Sequence, residues 1–200
     1  MQNNGTVSHY DLLVEENNDP VRDPEPLREY MNKWDGQGFI EQMELGKSKA
    51  VLEIGVGTGR LAVRVAPLCG NFFGIDISPK TVKRAEENLS GNGNVTLICG
   101  DFLNYGFEYG FDVIYSSLTF MHIKEKQQAV SKIAGLLNKN GRFALSIDKN
   151  QSQYIDCGTR KIKVYPDTPP NIKECISASG LTLISSYETE FAHIFTAVKT

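Results

Sequence analysis

The sequence predicts an α/β protein whose doubly wound, seven-stranded and mostly parallel sheet ends in an antiparallel hairpin. Three observations predict this fold class. An apolar run at Ala50–Ile54 leads into a glycine-rich turn, strand-like and helix-like segments then alternate, and two strand-like segments, 181–188 and 192–199, lie close together near the C-terminus. Strands that alternate with helices pair in parallel, because each helix returns the chain to the same end of the sheet. At 200 residues the chain is expected to form a single domain, 1–200.

The segment before the first strand, 1–46, is predicted to be a helical cap or lid. It contains a predicted helix over 25–45, preceded at 15–26 by a charged stretch rich in Asn and Pro that is expected to be a mobile loop. Tyr30 and Trp34 are interpreted either as pocket residues or as an apolar helix face that packs on the domain.

The rest of the chain divides into strands and helices by the period of its apolar residues. The predicted strands are 50–54, 71–76, 95–99, 111–117, 141–148, 181–188 and 192–199, and the predicted helices after the cap are 59–68, 79–88, 124–137 and 170–179. Ser78 and Pro79 suit the N-cap and the first position of the second of these helices. A short additional strand is expected within 161–165. The last two strands are close enough in sequence to pair antiparallel.

The turn after the first strand is the most informative local pattern. Gly55, Gly57 and Gly59 allow backbone conformations that side chains forbid, so a ligand can lie directly on the backbone. The dinucleotide fingerprint requires a third glycine three residues after the second, and Arg60 occupies that position. The arginine at this position disfavours NAD as the ligand of the turn. Arg60 is also unusual at the positive end of a helix dipole, and is interpreted as reaching a carboxylate of a ligand or of the protein. The alternative for the glycines is an ordinary strand-to-helix connection.

With Glu53 two residues before the first glycine, this segment resembles the first motif of the class I S-adenosylmethionine-dependent methyltransferases, an acid, any residue, then Gly-x-Gly-x-Gly. The resemblance implies a Rossmann-like methyltransferase fold and S-adenosylmethionine as the cofactor. It also implies that Gly55, Gly57 and Gly59 bind the cofactor, and that Glu53 holds the loop or attracts the cationic ligand. An acid is tolerable there because this cofactor brings no phosphate to the helix N-terminus.

Further cofactor-binding residues are expected at the ends of the next strands. Asp76 lies about twenty residues after the glycines, where a carboxylate can accept from both ribose hydroxyls, although it can instead cap the following helix. Ile77 would then lie beside the adenine. The resemblance implies that Asp101 binds the exocyclic amine of adenine and that Phe102 packs beside it. Ser116, near the end of the fourth strand, is also predicted to bind the cofactor.

The resemblance implies transfer of the sulfonium methyl group by in-line displacement. The sequence lacks the Asn-Pro-Pro-Tyr or Asp-Pro-Pro-Tyr signature of enzymes that methylate adenine or glutamine amino groups, a Pro-Cys nucleophile and a metal-ligand cluster, so the expected acceptor is an oxygen or nitrogen atom of a small molecule. His122, just after the fourth strand, is the candidate catalytic base, because its unperturbed pKa is near neutrality; the alternative is that it only orders its loop. Tyr10 is predicted to contact the sulfonium or the methionine end of the cofactor. Two other interpretations are a non-catalytic S-adenosylmethionine-binding protein and, opposed by Arg60, an NAD(P)-linked oxidoreductase.

Composition narrows the expected partners. The net charge of −3 offers no basic excess for a nucleic-acid backbone, so no nucleic acid is expected. Because the sequence shows no signal-like segment and no long apolar run, the protein is predicted to be cytoplasmic and to have no membrane partner. It is expected to be a monomer or a homodimer. The scattered cysteines Cys69, Cys99, Cys157 and Cys175 form no CxxC pair; they are expected to be reduced core residues, and no metal site is predicted.

Overall fold

A seven-stranded sheet forms the centre of the protein in the computed structural model, which describes residues 4–158 and 160–200. Its strands are β1 (Ala50–Ile54), β2 (Asn71–Asp76), β3 (Val95–Cys99), β4 (Phe111–Ser117), β5 (Leu137–Asp148), β8 (Thr182–Glu188) and β9 (Ala192–Val198), and a separate hairpin contains β6 (Tyr154–Asp156) and β7 (Lys161–Lys163). The order is β3-β2-β1-β4-β5-β9-β8, parallel from β3 to β5 and antiparallel beyond. The predicted fold class and C-terminal hairpin are confirmed.

The helices lie on both faces of this sheet, which explains why its central strands are apolar throughout. They are α1 (Asn4–Glu15), α2 (Glu25–Met31), α3 (Gly36–Glu41), α4 (Ala62–Val65), α5 (Pro79–Asn88), α6 (Lys126–Leu136) and α7 (Pro169–Ala178), with 3₁₀ turns at Ala66–Leu68 and Phe120–His122. Successive strand residues alternate between two cores: Val113 and Tyr115 pack with α3, α4 and α5, whereas Ile114 packs with α6 and α7.

Two predicted helices are shorter than expected. The helix predicted over 25–45 is two helices, α2 and α3, because Asp35 caps a new helix by accepting from the Gly36 N–H, and Gly36 has a φ of +73°. The helix predicted over 59–68 is reduced to α4 and a 3₁₀ turn. Pro67 lies in that turn and has no N–H with which to continue the α-helix.

The predicted mobile loop at 15–26 is also corrected. Its Asp19 is 2% exposed, accepts from the side-chain amide of Asn88 at 3.1 Å, and pairs with Arg84 at 3.3 Å. Because Asn88 also donates to the Thr58 carbonyl at 2.9 Å, this segment is tied both to α5 and to the glycine loop. The helix α1 was not predicted as a separate helix, because its apolar residues show only weak helical periodicity.

The four cysteines divide evenly between core and surface. Cys69 and Cys175 are buried, as predicted, but Cys99 and Cys157 are exposed, which corrects the expectation that all of them are core residues. Among the described residues, no helix has the length and apolar character needed to cross a bilayer.

Candidate active site

A cavity of about 670 Å³ lies at the carboxyl ends of β1 to β4, where the strand order reverses on either side of β1. In open α/β sheets such a reversal creates a crevice in which ligands bind. The glycine loop after β1, the ends of β2 and β4, the turn after β3, α1 and β7 all contribute to its lining. Of the predicted site residues, the cavity is lined by Tyr10, Glu53, Gly55, Gly57, Asp76, Ile77, Asp101, Phe102 and His122. Gly59 and Ser116 do not line it.

The glycine loop fits closely against the neighbouring strands. The N–H groups of Gly55 and Val56 donate to the Ile75 carbonyl at 2.8 and 3.1 Å, which fixes the loop on the end of β2. Gly55 has a φ of +77°, and a Cβ atom there would lie 2.0 Å from Thr119 Oγ1. A Cβ on Gly57 would instead point into open space. Gly55 is therefore required by packing, whereas Gly57 leaves room on the cavity side of the loop.

Asp76 connects β2 to the glycine loop. Its Oδ2 accepts from the Gly57 N–H at 3.0 Å, and its Oδ1 accepts from the Ser78 N–H at 3.0 Å. Burial raises the pKa of this carboxyl above its usual value, while the backbone donors partly oppose that shift. Asp76 therefore holds the turn with its carboxylate and also lines the cavity, while its binding of the ribose hydroxyls stays a prediction.

Glu53, the residue before the last of β1, is a buried acid, 3% exposed. Its Oε2 accepts from the Tyr115 hydroxyl at 2.8 Å. Burial raises the pKa of Glu53 to about 8; the Tyr115 hydrogen bond and the Arg60 charge oppose that rise, and the charge of Asp35 adds to it. This carboxyl is therefore mostly protonated at neutral pH in the ligand-free protein.

Arg60 reaches a carboxylate of the protein, which is one of the two interpretations made from its position in the sequence. Its Nη1 donates to Asp35 Oδ1 at 3.1 Å, and its Nη2 pairs with Asp35 Oδ2. Ser117 Oγ donates to the same Asp35 Oδ2 at 2.8 Å. Asp35 was not among the residues predicted for the site. Its position before Gly36 signals a helix cap, but no spacing in the sequence connects it with Arg60.

Three further residues predicted to bind the cofactor separate into two groups. Asp101 Oδ1 accepts from the Leu103 N–H at 3.0 Å, and its Oδ2 accepts from the Asn104 amide at 2.7 Å, so this acid shapes the turn that it lines. Phe102 is buried and lines the cavity. Ser116 instead lies inside the sheet, where its hydroxyl donates to the Ile54 carbonyl at 2.9 Å. Ser117, the next residue, is the one that faces the cavity.

Tyr10 and His122 meet across the cavity. The Tyr10 hydroxyl lies 2.7 Å from His122 Nε2, and the rings pack edge to face with centroids 5.4 Å apart. Within the described part of the chain, the buried His122 Nδ1 has no hydrogen-bond partner. Burial lowers the pKa of His122 to about 4 and raises that of Tyr10 above its usual value. Both side chains are therefore neutral at pH 7.

The low pKa of His122 can be tested without any methyl acceptor. In an NMR titration of the ligand-free protein, the His122 ring protons are expected to shift with a midpoint near pH 4 and to stay constant between pH 6 and 8. The chain contains three histidines, so a His122→Gln variant identifies the signal by its disappearance. A midpoint near 6.5 would show that His122 is solvated and that the contact with Tyr10 is not maintained in solution.

The helix α1 is also held by charged groups that do not line the cavity. Arg160 donates from Nε to His9 Nδ1 at 2.9 Å and forms a bidentate pair with Glu16 at 2.8 Å. Asp11 accepts from the Ser78 hydroxyl at 2.7 Å and from the Lys80 N–H at 3.1 Å. These contacts attach α1 to α5 and to the segment before β7, and therefore hold it over the cavity.

Comparisons with known proteins find similarity to methyltransferases. The family profile described as "Methyltransferase domain" matches residues 52–145. A protein of Anoxybacillus flavithermus named "Uncharacterized methyltransferase" is 29% identical over 189 residues, which cover 86% of this chain and 88% of that protein. A malonyl-(acyl-carrier protein) O-methyltransferase of Ilyobacter polytropus is 31% identical over 110 residues, which cover 54% of this chain and 41% of that protein.

A solved structure with the same fold contains bound S-adenosylmethionine. The crystal structure of magnesium protoporphyrin IX methyltransferase from Synechocystis PCC 6803 with bound S-adenosylmethionine matches with a TM-score of 0.64. The identity is 20%, and the match covers 82% of this chain and 75% of that one. At this identity the likeness shows that the two chains share a fold.

Proposed function

This chain belongs to the class I S-adenosylmethionine-dependent methyltransferases, and from that premise we propose that it methylates an oxygen or nitrogen atom of a small molecule. The observation that carries the proposal is that one cavity, of about 670 Å³, joins the glycine loop, Asp76 and the Tyr10–His122 pair. This volume is typical of sites that enclose small molecules. The names of the Ilyobacter relative and the Synechocystis neighbour describe an O-methyltransferase and a small-molecule acceptor, respectively.

The residues present fit the cofactor. The space beside Gly57 accepts a ligand against the backbone, and Asp76 offers a carboxylate to the ribose hydroxyls. Asp101 and Phe102 provide an acceptor and an apolar surface for the adenine, and Ile77 adds apolar contact. Gly59 supports the loop without facing the ligand, since its N–H donates to the Val56 carbonyl at 2.9 Å.

Bound S-adenosylmethionine supplies an electrophilic methyl carbon, so the protein's task is alignment and exclusion of water. We assign these tasks to α1, whose Tyr10, Leu13 and Val14 line the cavity. With a pKa of about 4, His122 is a weak proton acceptor at neutral pH, which favours orientation of Tyr10 over base catalysis. We further propose that the predicted cap, 1–46, covers the site through its described residues 4–46, since α1 lines the cavity; residues 1–3 lie outside the described residues.

A thermal-shift comparison tests this proposal. At one hundred times their dissociation constants, S-adenosylmethionine and S-adenosylhomocysteine are expected to add about 2.7 kcal/mol to the free energy of unfolding. For a chain of this size, that corresponds to a rise in Tm of roughly 5 to 10 °C. NAD and NADP are expected to leave Tm unchanged, because Arg60 replaces the glycine of the dinucleotide fingerprint.

The outcomes separate the alternatives. A shift with NAD or NADP alone would overturn the assignment and indicate an oxidoreductase. If the S-adenosyl ligands bind, mass spectrometry after incubation with S-adenosylmethionine and a panel of phenols, carboxylic acids and amines is expected to find a methylated product. Binding without any product across such a panel would favour the non-catalytic interpretation.

A further inference from the structure

The cavity has charges of opposite sign in its two halves. Asp76 and Asp101, at or just after the ends of β2 and β3, line the half on one side of β1. The half beyond β4 is lined by a lysine cluster, which consists of Lys124, Lys161 and Lys163. Because the whole chain has a net charge of −3, this cluster is a local excess of positive charge.

The β6–β7 hairpin, which carries two of these lysines, is fixed beside the segment that follows β4. The Tyr165 N–H, just after β7, donates to the Met121 carbonyl at 2.7 Å. The buried Lys126 ammonium donates to the Tyr165 carbonyl at 2.8 Å and pairs with Asp167 at 2.9 Å. These contacts hold β7 on the same side of the cavity as Lys124.

Most of the positive charge of the lysine cluster is not neutralised by the protein. Lys124 and Lys163 form no ion pair with any residue that the structure describes, whereas Lys161 pairs with Asp156 across the hairpin at 3.0 Å. The Lys163 ammonium lies 5.5 Å from the ring centre of Tyr165, which lines the cavity. The exposed Glu125 also lines this half, so lysines outnumber carboxylates there.

Apolar side chains line the same half of the cavity. Met121 and Ile123, on either side of His122, are half-buried, and Ile162 in β7 is buried. Apolar walls with a few charged groups are typical of sites that bind a small molecule and fix its orientation. This half is therefore suited to a ligand with an apolar body and a negative charge.

We propose that the methyl acceptor is a small molecule with an apolar body and an anionic group, a carboxylate or a phosphate, and that the lysine cluster binds this group. The inference rests on the function proposed above and narrows its acceptor class. Ammonium groups pair with the oxygens of either anion. The cofactor carries a sulfonium cation and the acceptor an anion, so each ligand is attracted to the half of the cavity with the opposite charge.

Four probes that share an octyl chain test the head group: octanoate, octyl phosphate, octanol and octylamine. Each is titrated calorimetrically into the wild-type protein saturated with S-adenosylhomocysteine, which has no methyl group to transfer. At least one of the two anions is expected to bind about 10-fold or more tightly than octylamine, with octanol between them. The tighter anion identifies the preferred group, and the preference is expected to fall as salt is added.

Variants of the two lysines without an ion pair assign the preference to the cluster. In the double variant Lys124→Gln, Lys163→Gln, the affinities for the preferred anion and for octylamine are expected to agree within about threefold. The double variant Lys124→Glu, Lys163→Glu is expected to bind octylamine more tightly than either anion. Lys173→Gln is the matched control, because Lys173 is an exposed lysine of α7 that does not line the cavity, and it is expected to keep the full preference.

Two wild-type results would overturn the inference: equal affinity for the anions and octylamine, or binding of none of the four probes. A preference for anions that persists in Lys124→Gln, Lys163→Gln would also overturn it, because other groups would then bind the anion. Binding of S-adenosylhomocysteine alone is measured first. If that ligand does not bind, the proposed function itself fails, and this result is distinct from the failure of the acceptor class.

Discussion

Asp76→Ala is expected to weaken binding of S-adenosylmethionine by about 2 kcal/mol or more, which is roughly 30-fold, while the protein stays folded. The carboxylate lines the cavity and is the acceptor proposed for the ribose hydroxyls. It also accepts from the Gly57 N–H at 3.0 Å, so its loss releases the glycine loop on which the ligand lies. Calorimetric titration measures the affinity, and a thermal melt of the ligand-free variant measures the remaining stability.

Asp148 is a close control for this substitution. Asp148 is the last residue of β5, as Asp76 is the last residue of β2. Its Oδ1 accepts from the Asn150 N–H at 2.7 Å, just as Asp76 Oδ1 accepts from the Ser78 N–H at 3.0 Å. Asp148 does not line the cavity. Asp148→Ala therefore removes the same kind of turn and is expected to leave cofactor affinity within about threefold. Similar losses in both variants would reassign Asp76 to the turn alone.

The sheet was predictable from the sequence because its signals are local and periodic. Successive residues of a central strand face the two cores in turn, so the whole strand must be apolar. Each parallel strand is followed by a polar or glycine-rich turn. Those turns carry the ligand-facing residues, and parallel strands place their carboxyl ends at one edge. Glu53, Asp76 and Asp101 therefore converge on one cavity, as expected from their positions at or just after strand ends.

The cap was less predictable because its contacts are made between residues distant in sequence. Asp35 meets Arg60, and Tyr10 meets His122, 112 residues later; neither pair has a characteristic spacing. Asp19 lies in a polar stretch that predicts mobility, and its burial against Arg84, 65 residues later, depends on the folded structure. Ser116 was predicted to bind the cofactor, but Ser117 lines the cavity in its place. The alternation of residues along a strand shows that the strand has two faces, but it does not show which of two neighbouring residues lies at the cavity.

Glu53→Gln is expected to stabilise the ligand-free protein at alkaline pH. The pKa of Glu53 is raised from 4.5 in the unfolded chain to about 8 in the folded protein, so the folded state holds a proton that the unfolded state has released. Stability therefore falls as pH rises through the interval between these two values, and the loss is complete above the folded pKa. Glutamine cannot ionise, and it keeps an oxygen for the Tyr115 hydroxyl. Thermal melts of both proteins at pH 5 and pH 9 measure the effect.

The expected difference in Tm is small at pH 5 and at least several degrees in favour of Glu53→Gln at pH 9, since each unit of pKa shift corresponds to about 1.4 kcal/mol. Glu190→Gln is the control, because Glu190 is exposed and its surface pair with Lys33 contributes little at either pH. If the difference in Tm between the variant and wild type is the same at pH 5 and pH 9, Glu53 titrates normally. If the variant is more stable but binds S-adenosylmethionine less tightly, the buried acid is kept for its ligand at a cost to the fold, as expected of a functional site.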